Sequence, residues 1–433
     1  MRIKLTIIGG LLLSISGIAQ STQPVNLDQI LTKVNEKNFD ILIAEQNLIS
    51  AEADASQSAA VFLPTIKASH TGIATTNPLM AFGSKLNQKS ITAEDFNPNL
   101  LNNPDQVQNF ATRIEVLQPL LNFDGFYGRK AALQKVKAMQ LQGDRTKEYL
   151  FLEAKNAYMQ LQLAYKNLEV LESTRKTVKE HKKIAEKNYE LGYIKKADLL
   201  SVEIRVTEIE NQIQQAENSI EQASNYLLLL TNEESESILI PIDSLLVDTI
   251  ITLNSKEKFV RSDIAAMAAV TDAYELQYKS EKSSYLPSLN AFGSYELHDE
   301  NIFQGAASGY TFGAQLSWTL FEGNKRIGSV KKSKTEFNKS KIEYQQYVNK
   351  EKATLKNAKL NLQELTNQIK LSKLALEQAK EVLRIRENRF KQGLEKTSDL
   401  LQAETQYALK ELEWNSAIYQ HNYALAYVQF LQF

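Results

Sequence analysis

The sequence predicts a mainly α fold with a small β part, and three observations carry that prediction. Residues 126–231 contain no proline, and none follows Pro287 in the 433-residue chain. Uninterrupted stretches of that length read as helices too long for any globular core. Two short hairpin segments alternate apolar and polar residues at period two, the pattern of strands with unlike faces. The whole arrangement then occurs twice. A formal net charge of -1 gives no electrostatic case for nucleic-acid binding. The absence of cysteine excludes disulfides, thiolate metal sites, a catalytic thiol and an N-terminal lipidated cysteine.

Residues 1–19 read as a secretory signal. Arg2 and Lys4 precede the apolar run Leu5–Ile18, and Gly17-Ile18-Ala19 sets small residues before a cut. The alternative, a membrane anchor, requires ~20 apolar residues, longer than this run. No later window of that length is free of charges, so membrane insertion of the exported chain falls to strands.

A first repeat covers residues 20–231. Its opening helix, 26–60, is capped by Asn26 with Gln29 three residues on, and Leu63-Pro64 ends it. A β-hairpin follows at 62–122, with strands at Thr65–Thr76 and Phe110–Pro119. Between them Pro78, Pro98 and Pro104 mark an irregular, exposed loop. A long helix runs from about 126 to 190 and would span ~100 Å at ~1.5 Å per residue. After a turn near Gly192, a helix at 198–230 carries a heptad seam from Leu199 and Val202 to Leu227 and Leu230, in steps of three and four. Residues 232–258 read as a linker with a little structure of its own, marked by two β-branched stretches, 238–240 and 249–252. A second repeat, 259–433, runs helix, hairpin 286–320, long helix, turn near Gly393 and helix 398–432.

The duplication is read from matched positions. Asp40 through Pro64 corresponds to Asp263 through Pro287 at an offset of 223, and the FDG of 123–125 to the FEG of 321–323 at 198. Gly192, Asp198 and Glu203 correspond to Gly393, Asp399 and Glu404 at 201. The fall from 223 to 198 lies within the hairpin, which gives the first hairpin 25 extra loop residues.

In the second hairpin Leu289, Ala291, Gly293, Tyr295 and Leu297 share a face, as do Tyr310, Phe312, Ala314, Leu316, Trp318 and Leu320. Asn290, Ser294 and Glu296, and likewise Gln315 and Ser317, oppose them. An open four-stranded sheet leaves edge groups unpaired and cannot span lipid, but copies from several chains can close a barrel. About ten residues per strand suits a tilted crossing, with Tyr310 and Trp318 as interface aromatics. The alternative is a water-soluble hairpin packed on the helices.

Together, the two Leu-Pro junctions, the FDG and FEG joints and the paired turns YELGYIKKADLL (189–200) and FKQGLEKTSDLL (390–401) resemble the outer membrane efflux protein family, the TolC-like channel-tunnels. The resemblance covers nearly all of the chain after residue 19. It implies a homotrimer: twelve strands, four per chain, form a transmembrane β-barrel in the outer membrane. Long coiled-coil helices continue it as an α-barrel projecting into the periplasm. It further implies a passive export duct of a tripartite efflux or type I secretion system, working with a periplasmic adaptor and an inner-membrane pump. Residues 232–258 would belong to a belt around the tunnel, and residues 77–105 would lie outside the cell.

The family's constricted periplasmic mouth falls at the turns of Gly192 and Gly393, the tips that would meet the adaptor. By motif position its residues are Asp399, with Asp198 as counterpart, and Gln402 where relatives carry a second acid. Glu395 stands where a basic residue can help lock the mouth, and Phe390 where a tyrosine can occur; these departures bear on the locking bonds. The residues alone leave a second role open, since Asp198 and Asp399 are also good helix starters. Two other exported classes compete: a trimeric coiled-coil adhesin or stalk, and a periplasmic adaptor, which would need a lipoyl-like β domain not found here.

No chemistry is visible. His70, His181, His298 and His421 lack metal-site spacing, and no GxxxxGK loop occurs. No catalytic, cofactor or metal residue is assigned. Basic pairs after the hairpins, Arg129-Lys130 and Lys325-Arg326, read as a solvated helix face or as contacts to phosphate head groups.

Overall fold

The structure is a computed structural model, and it describes residues 22–248 and 261–432. The proposed signal and the 249–252 stretch lie outside the described residues. The elements are β1 (Thr22–Val25), α1 (Leu27–Lys37), α2 (Phe39–Gln57), β2 (Thr65–Thr75), α3 (Pro78–Asn87), α4 (Pro98–Asn102), β3 (Val107–Leu121), α5 (Phe123–Glu190) and α6 (Lys196–Leu230). There follow β4 (Ile238–Pro241), α7 (Ser262–Ser283), β5 (Ser288–Asp299), β6 (Ala307–Ser317), α8 (Lys325–Lys391) and α9 (Thr397–Gln432). The fold is mainly α with a four-stranded sheet. No helix among the described residues is long and apolar enough to cross a membrane.

Two compact units share these elements. One comprises Met1–Leu42, Thr146–Phe259 and Lys352–Phe433. It holds most of the buried apolar side chains. The heptad seam of α6 is buried from Val202 through Ile209, Ile213, Ala216 and Ile220 to Leu227 and Leu230. Val25, Ile30, Val34, Leu161, Leu227 and Leu239 close one cluster; Val178, Ala185, Val202 and Ile209 form another.

Residues 232–248 hold the structure of their own that the β-branched stretch at 238–240 suggested, and they are tied down more firmly than a linker. β4 pairs in parallel with β1, a strand the sequence reading missed. The Ser224 hydroxyl accepts the Leu239 amide (3.1 Å), and the Tyr165 hydroxyl donates to the Leu239 carbonyl (3.1 Å). Further on, Asn422 donates to the Leu246 carbonyl and accepts from the Asp248 amide (2.9 Å). The segment is a strap tied to α5, α6 and α9. β1 is four residues long and carries too little periodicity to be seen from sequence; its pairing with β4 across more than 200 positions is what makes it a strand.

The helix expected over 26–60 is also two helices. Asn26 and Gln29 form the reciprocal capping box that starts α1. Asn38 then interrupts it in an extended conformation. Its side-chain nitrogen donates to the Leu230 carbonyl at the end of α6 (2.9 Å), and its side-chain oxygen accepts the Asp40 amide and restarts the helix as α2 (2.9 Å).

The other unit comprises Ile43–Arg145 and Val260–Glu351 and holds the sheet, ordered β2-β3-β5-β6 and antiparallel throughout. At the strand-to-helix joint, the Asn122 carboxamide accepts the Gly125 amide (2.9 Å), and a Cβ on Gly125 would lie 2.7 Å from a Val61 methyl. That close approach is why the joint needs glycine. At the start of α7, Asp263 binds Arg261, accepts the Tyr347 hydroxyl (2.7 Å) and lies 3.4 Å from Arg145 Nε. Burial raises its carboxyl but these partners outweigh it and hold it below the usual range, while Tyr347 is pushed up to about 12 by burial and by Asp263.

The loop expected to be irregular is folded. Pro78 and Pro98 each open a short helix, where a missing N–H costs nothing, and Asn77 and Asn97 cap the two starts. Two of the three prolines that suggested an irregular loop are helix-start residues; Pro104 follows α4 outside any helix.

Candidate functional site

The two helix turns have one design. α5 ends with Gly192 at φ 75°, and the Tyr193 amide reaches back to the Asn188 carbonyl (2.8 Å). α8 ends with Gly393 at φ 72°, and the Leu394 amide reaches the Arg389 carbonyl (3.0 Å). These are Schellman closures, which need a left-handed residue. A Cβ at either glycine would meet open space, so the requirement is conformational.

Beyond the turns the repeats diverge. The Asp198 carboxylate accepts the Lys195 amide (3.1 Å) and caps α6. Asp399 instead lies 3.7 Å from Arg386 Nη1 and accepts the Ser398 hydroxyl (3.4 Å). Glu395 takes Arg386 Nη1 at 2.6 Å and Arg389 Nε at 2.9 Å, which leaves its side chain 9% exposed. Gln402 is exposed. Phe390 is half-buried and packs on Leu383, Leu400 and Ala403. The second turn thus gathers Arg386, Arg389, Glu395 and Asp399, while Phe390 and Gln402 stand outside that ion-pair cluster.

The sequence reading missed both arginines and one buried pair. Arg205 Nε and Nη2 each reach a Glu404 oxygen at 3.4 Å, linking α6 to α9. Glu404 is 2% exposed. Its repeat counterpart Glu203 is half-exposed and meets Lys182 at 3.4 Å. Burial pushes the Glu404 carboxyl up, against the pull of Arg205. An arginine beside heptad positions Val202 and Val206 was the available signal.

The sheet is two-faced across all four strands. Cross-strand partners Ile66, Val116 and Gly293 line one face with Phe312, and Ala68, Ile114 and Tyr295 line it with Tyr310. Tyr310 and Phe312 are 76% and 79% exposed, and Leu316 opposite Leu289 is also exposed. The opposite face carries Lys67, Glu115, Arg113 and Glu296; Arg113 Nε lies 3.3 Å from Glu296 and Arg113 Nη2 3.7 Å from Glu115. β2 and β6 each have a free edge.

Trp318 and Leu320 are not strand residues, contrary to expectation. β6 ends at Ser317, opposite Ser288, because Pro287 has no amide to continue the ladder. The Trp318 indole donates instead to the Tyr285 carbonyl (3.0 Å). Of the basic pairs, Lys130 and Lys325 stand on a solvated face, Lys130 with its Nζ 4.3 Å from the Phe126 ring centre, whereas Arg326 is covered, stacking over Tyr285 at 5.1 Å and donating to the Thr319 carbonyl. Among the described residues no group of three or more His, Cys, Asp or Glu side chains could hold a metal ion.

A sheet with one charged and one apolar exposed face, joined directly to very long paired helices, defines an outer-membrane channel component. The family model for outer membrane efflux proteins matches residues 30–233 and 257–430, and the chain belongs to that family. Solved structures with the same fold include CusC (TM-score 0.81, 15% identity, 94% of this chain and 91% of that one). The Campylobacter jejuni CmeC outer membrane channel gives 0.79 at 15% identity, covering 94% and 85%. VceC of Vibrio cholerae gives 0.78 at 16% identity, covering 94% and 96%. No curated protein matches the sequence.

Proposed function

We propose that this outer-membrane efflux protein is the channel-tunnel of a tripartite efflux or type I secretion system, a passive duct gated at its periplasmic mouth. Three copies share one twelve-stranded barrel, a periplasmic adaptor docks at the turns of Gly192 and Gly393, and an inner-membrane pump drives the cargo. The duct does no chemistry of its own. The observation that carries the reading is the sheet: free edges on β2 and β6, an apolar face of Tyr310, Phe312 and Leu316, and a charged face of Arg113, Glu115 and Glu296. In lipid such edges must be paired, and closure among copies does so while turning the charges inward.

The mouth in this reading has its own lock. Glu395 is held within its own chain by Arg386 and Arg389, and Arg386 offsets part of the charge of Asp399. The test is purification in detergent followed by planar-bilayer recording. A trimer that conducts after the mouth is loosened is expected; a folded monomer without conductance would refute the assignment.

A further inference from the structure

The segment between β2 and β3 is folded, and where it rests is informative. Val107, Asn109, His298 and Ala307 are buried at the tip of the sheet, and by register all four belong to the face that carries Arg113 and Glu296. On the opposite face Gln108 and Ser308 are exposed, and Asp299 is covered by its own turn, whose Asn301 and Ala306 amides it accepts at 2.8 Å. The cover on the charged face is α3, which packs on β3 and β6 and whose Ala81 and Ser84 are buried.

Polar contacts fasten it there. Gln88 Nε2 donates to the Gln108 carbonyl (2.8 Å) and to Asn109 Oδ1 (3.0 Å). Asn109 Nδ2 lies 3.4 Å from His298 Nδ1, and His298 Nε2 lies 3.2 Å from Glu296. Lys85 binds Asp95 at 2.7 Å, and Phe82 meets Phe96 edge to face, so the remainder of the segment braces α3. On the side of α3 away from the sheet stand Leu79 and Leu86, one heptad apart and 81% and 55% exposed. Gly83 lies between them with open space around it.

We propose that α3 is an inward-seated cap that makes an apolar constriction at the outer end of the pore, with Leu79 and Leu86 as residues that determine what passes. The proposal rests on the reading that the charged face lines the lumen. A helix lying on that wall narrows the lumen, and three copies bring six leucines to its outer end, beyond the stretch where Arg113, Glu115 and Glu296 share the wall with Leu117 and Phe292. Apolar constrictions oppose ions by dewetting, so the cap holds back small hydrophilic ions while amphipathic solutes pass.

The test reads the outer end alone, independently of the periplasmic mouth. The chain has no cysteine, so Ser294→Cys puts a single thiol on the charged face below the cap. A membrane-impermeant, charged methanethiosulfonate is added to intact cells and the rate of modification measured. The rate is expected to rise several-fold when Leu79→Asn and Leu86→Asn are added, since both side chains are exposed and the change is in wettability more than volume. Gln88→Ala, which loosens the fastening, is expected to raise it as well. Asn97→Cys, on the exposed part of the insertion, reports that the protein has reached the cell surface and should react equally in every background. An unchanged rate at Ser294→Cys in both the leucine and the Gln88 variants would overturn the cap. Reaction at Leu316→Cys from the aqueous side, with none at Ser294→Cys in any background, would instead overturn the lumen assignment.

Discussion

Glu404 and Arg205 pose the sharpest question at the scale of single residues. Removing one partner of a buried pair typically costs about 3–5 kcal/mol, because the other charge is left stranded, whereas an apolar replacement of both is often neutral. Glu404→Ala should therefore lower the thermal midpoint of the detergent-solubilised protein, and Arg205→Met with Glu404→Leu should recover most of the loss; circular dichroism melting measures both. A double variant no better than the single one would mean that the pair contributes through something other than charge burial. The raised carboxyl of Glu404 also fixes the direction of a pH effect. The folded state holds this proton more tightly than the unfolded chain, so the contribution is fully present below the ordinary carboxylate pKa and declines as pH rises to the raised value. Glu404→Gln should remove that decline, seen as a wild-type-minus-variant difference in midpoint that shrinks as pH rises above the ordinary carboxylate range. At the second turn Asp399 faces Arg386, whereas its counterpart Asp198 caps α6. In the proposed mouth, three copies of Asp399 form a ring of negative charge that Arg386 partly offsets. Asp399→Asn should then lower cation selectivity and block by a trivalent cation in planar bilayers, and Arg386→Ala should raise both. If neither variant alters selectivity or block, Asp399 has no part in the mouth.

At the scale of elements, the strands give the clearest contrast. Leu316 and Gln315 are neighbours on β6 with opposite faces, paired with Leu289 and Asn290. A charge at a lipid-facing site near the membrane midplane costs about 2–4 kcal/mol, and far less on a lumen face. Leu316→Lys should impair assembly in the outer membrane while Gln315→Lys assembles normally, as read from the folded fraction on unheated gels. Equal tolerance would mean that the face assignment is wrong. The folded insertion makes a second contrast. Asn97 caps α4 and is exposed, and it takes no part in the Gln88 and Asn109 fastening. An epitope inserted there should be labelled on intact cells; labelling only after permeabilisation would reverse the orientation of the hairpin.

At the scale of the whole molecule, the free edges of β2 and β6 are what the proposed trimer would pair. A single chain would leave two rows of backbone groups unpaired in lipid, so the proposed trimer is obligate rather than an association of stable monomers. Native mass spectrometry in detergent should find a trimer with no folded monomer on dilution, and a stable folded monomer would defeat the reading.

The sequence alone determined what is periodic. The two-residue alternation of β5 and β6, the heptad seam of α6 and the glycines at 192 and 393 are local patterns, and local patterns follow from backbone geometry without knowledge of partners. Tertiary structure decided what depends on distant partners. Asn38 breaks a helix because the Leu230 carbonyl is there to be met, and β1 exists because β4 lies beside it. Asp198 and Asp399 occupy the same place in their repeats, yet one caps a helix and the other meets Arg386. Glu203 and Glu404 likewise share a position but differ in burial, because one meets Lys182 at the surface and the other Arg205 between helices. The physical reason is that hydrogen-bond and charge partners are chosen in space, whereas periodicity is written along the chain.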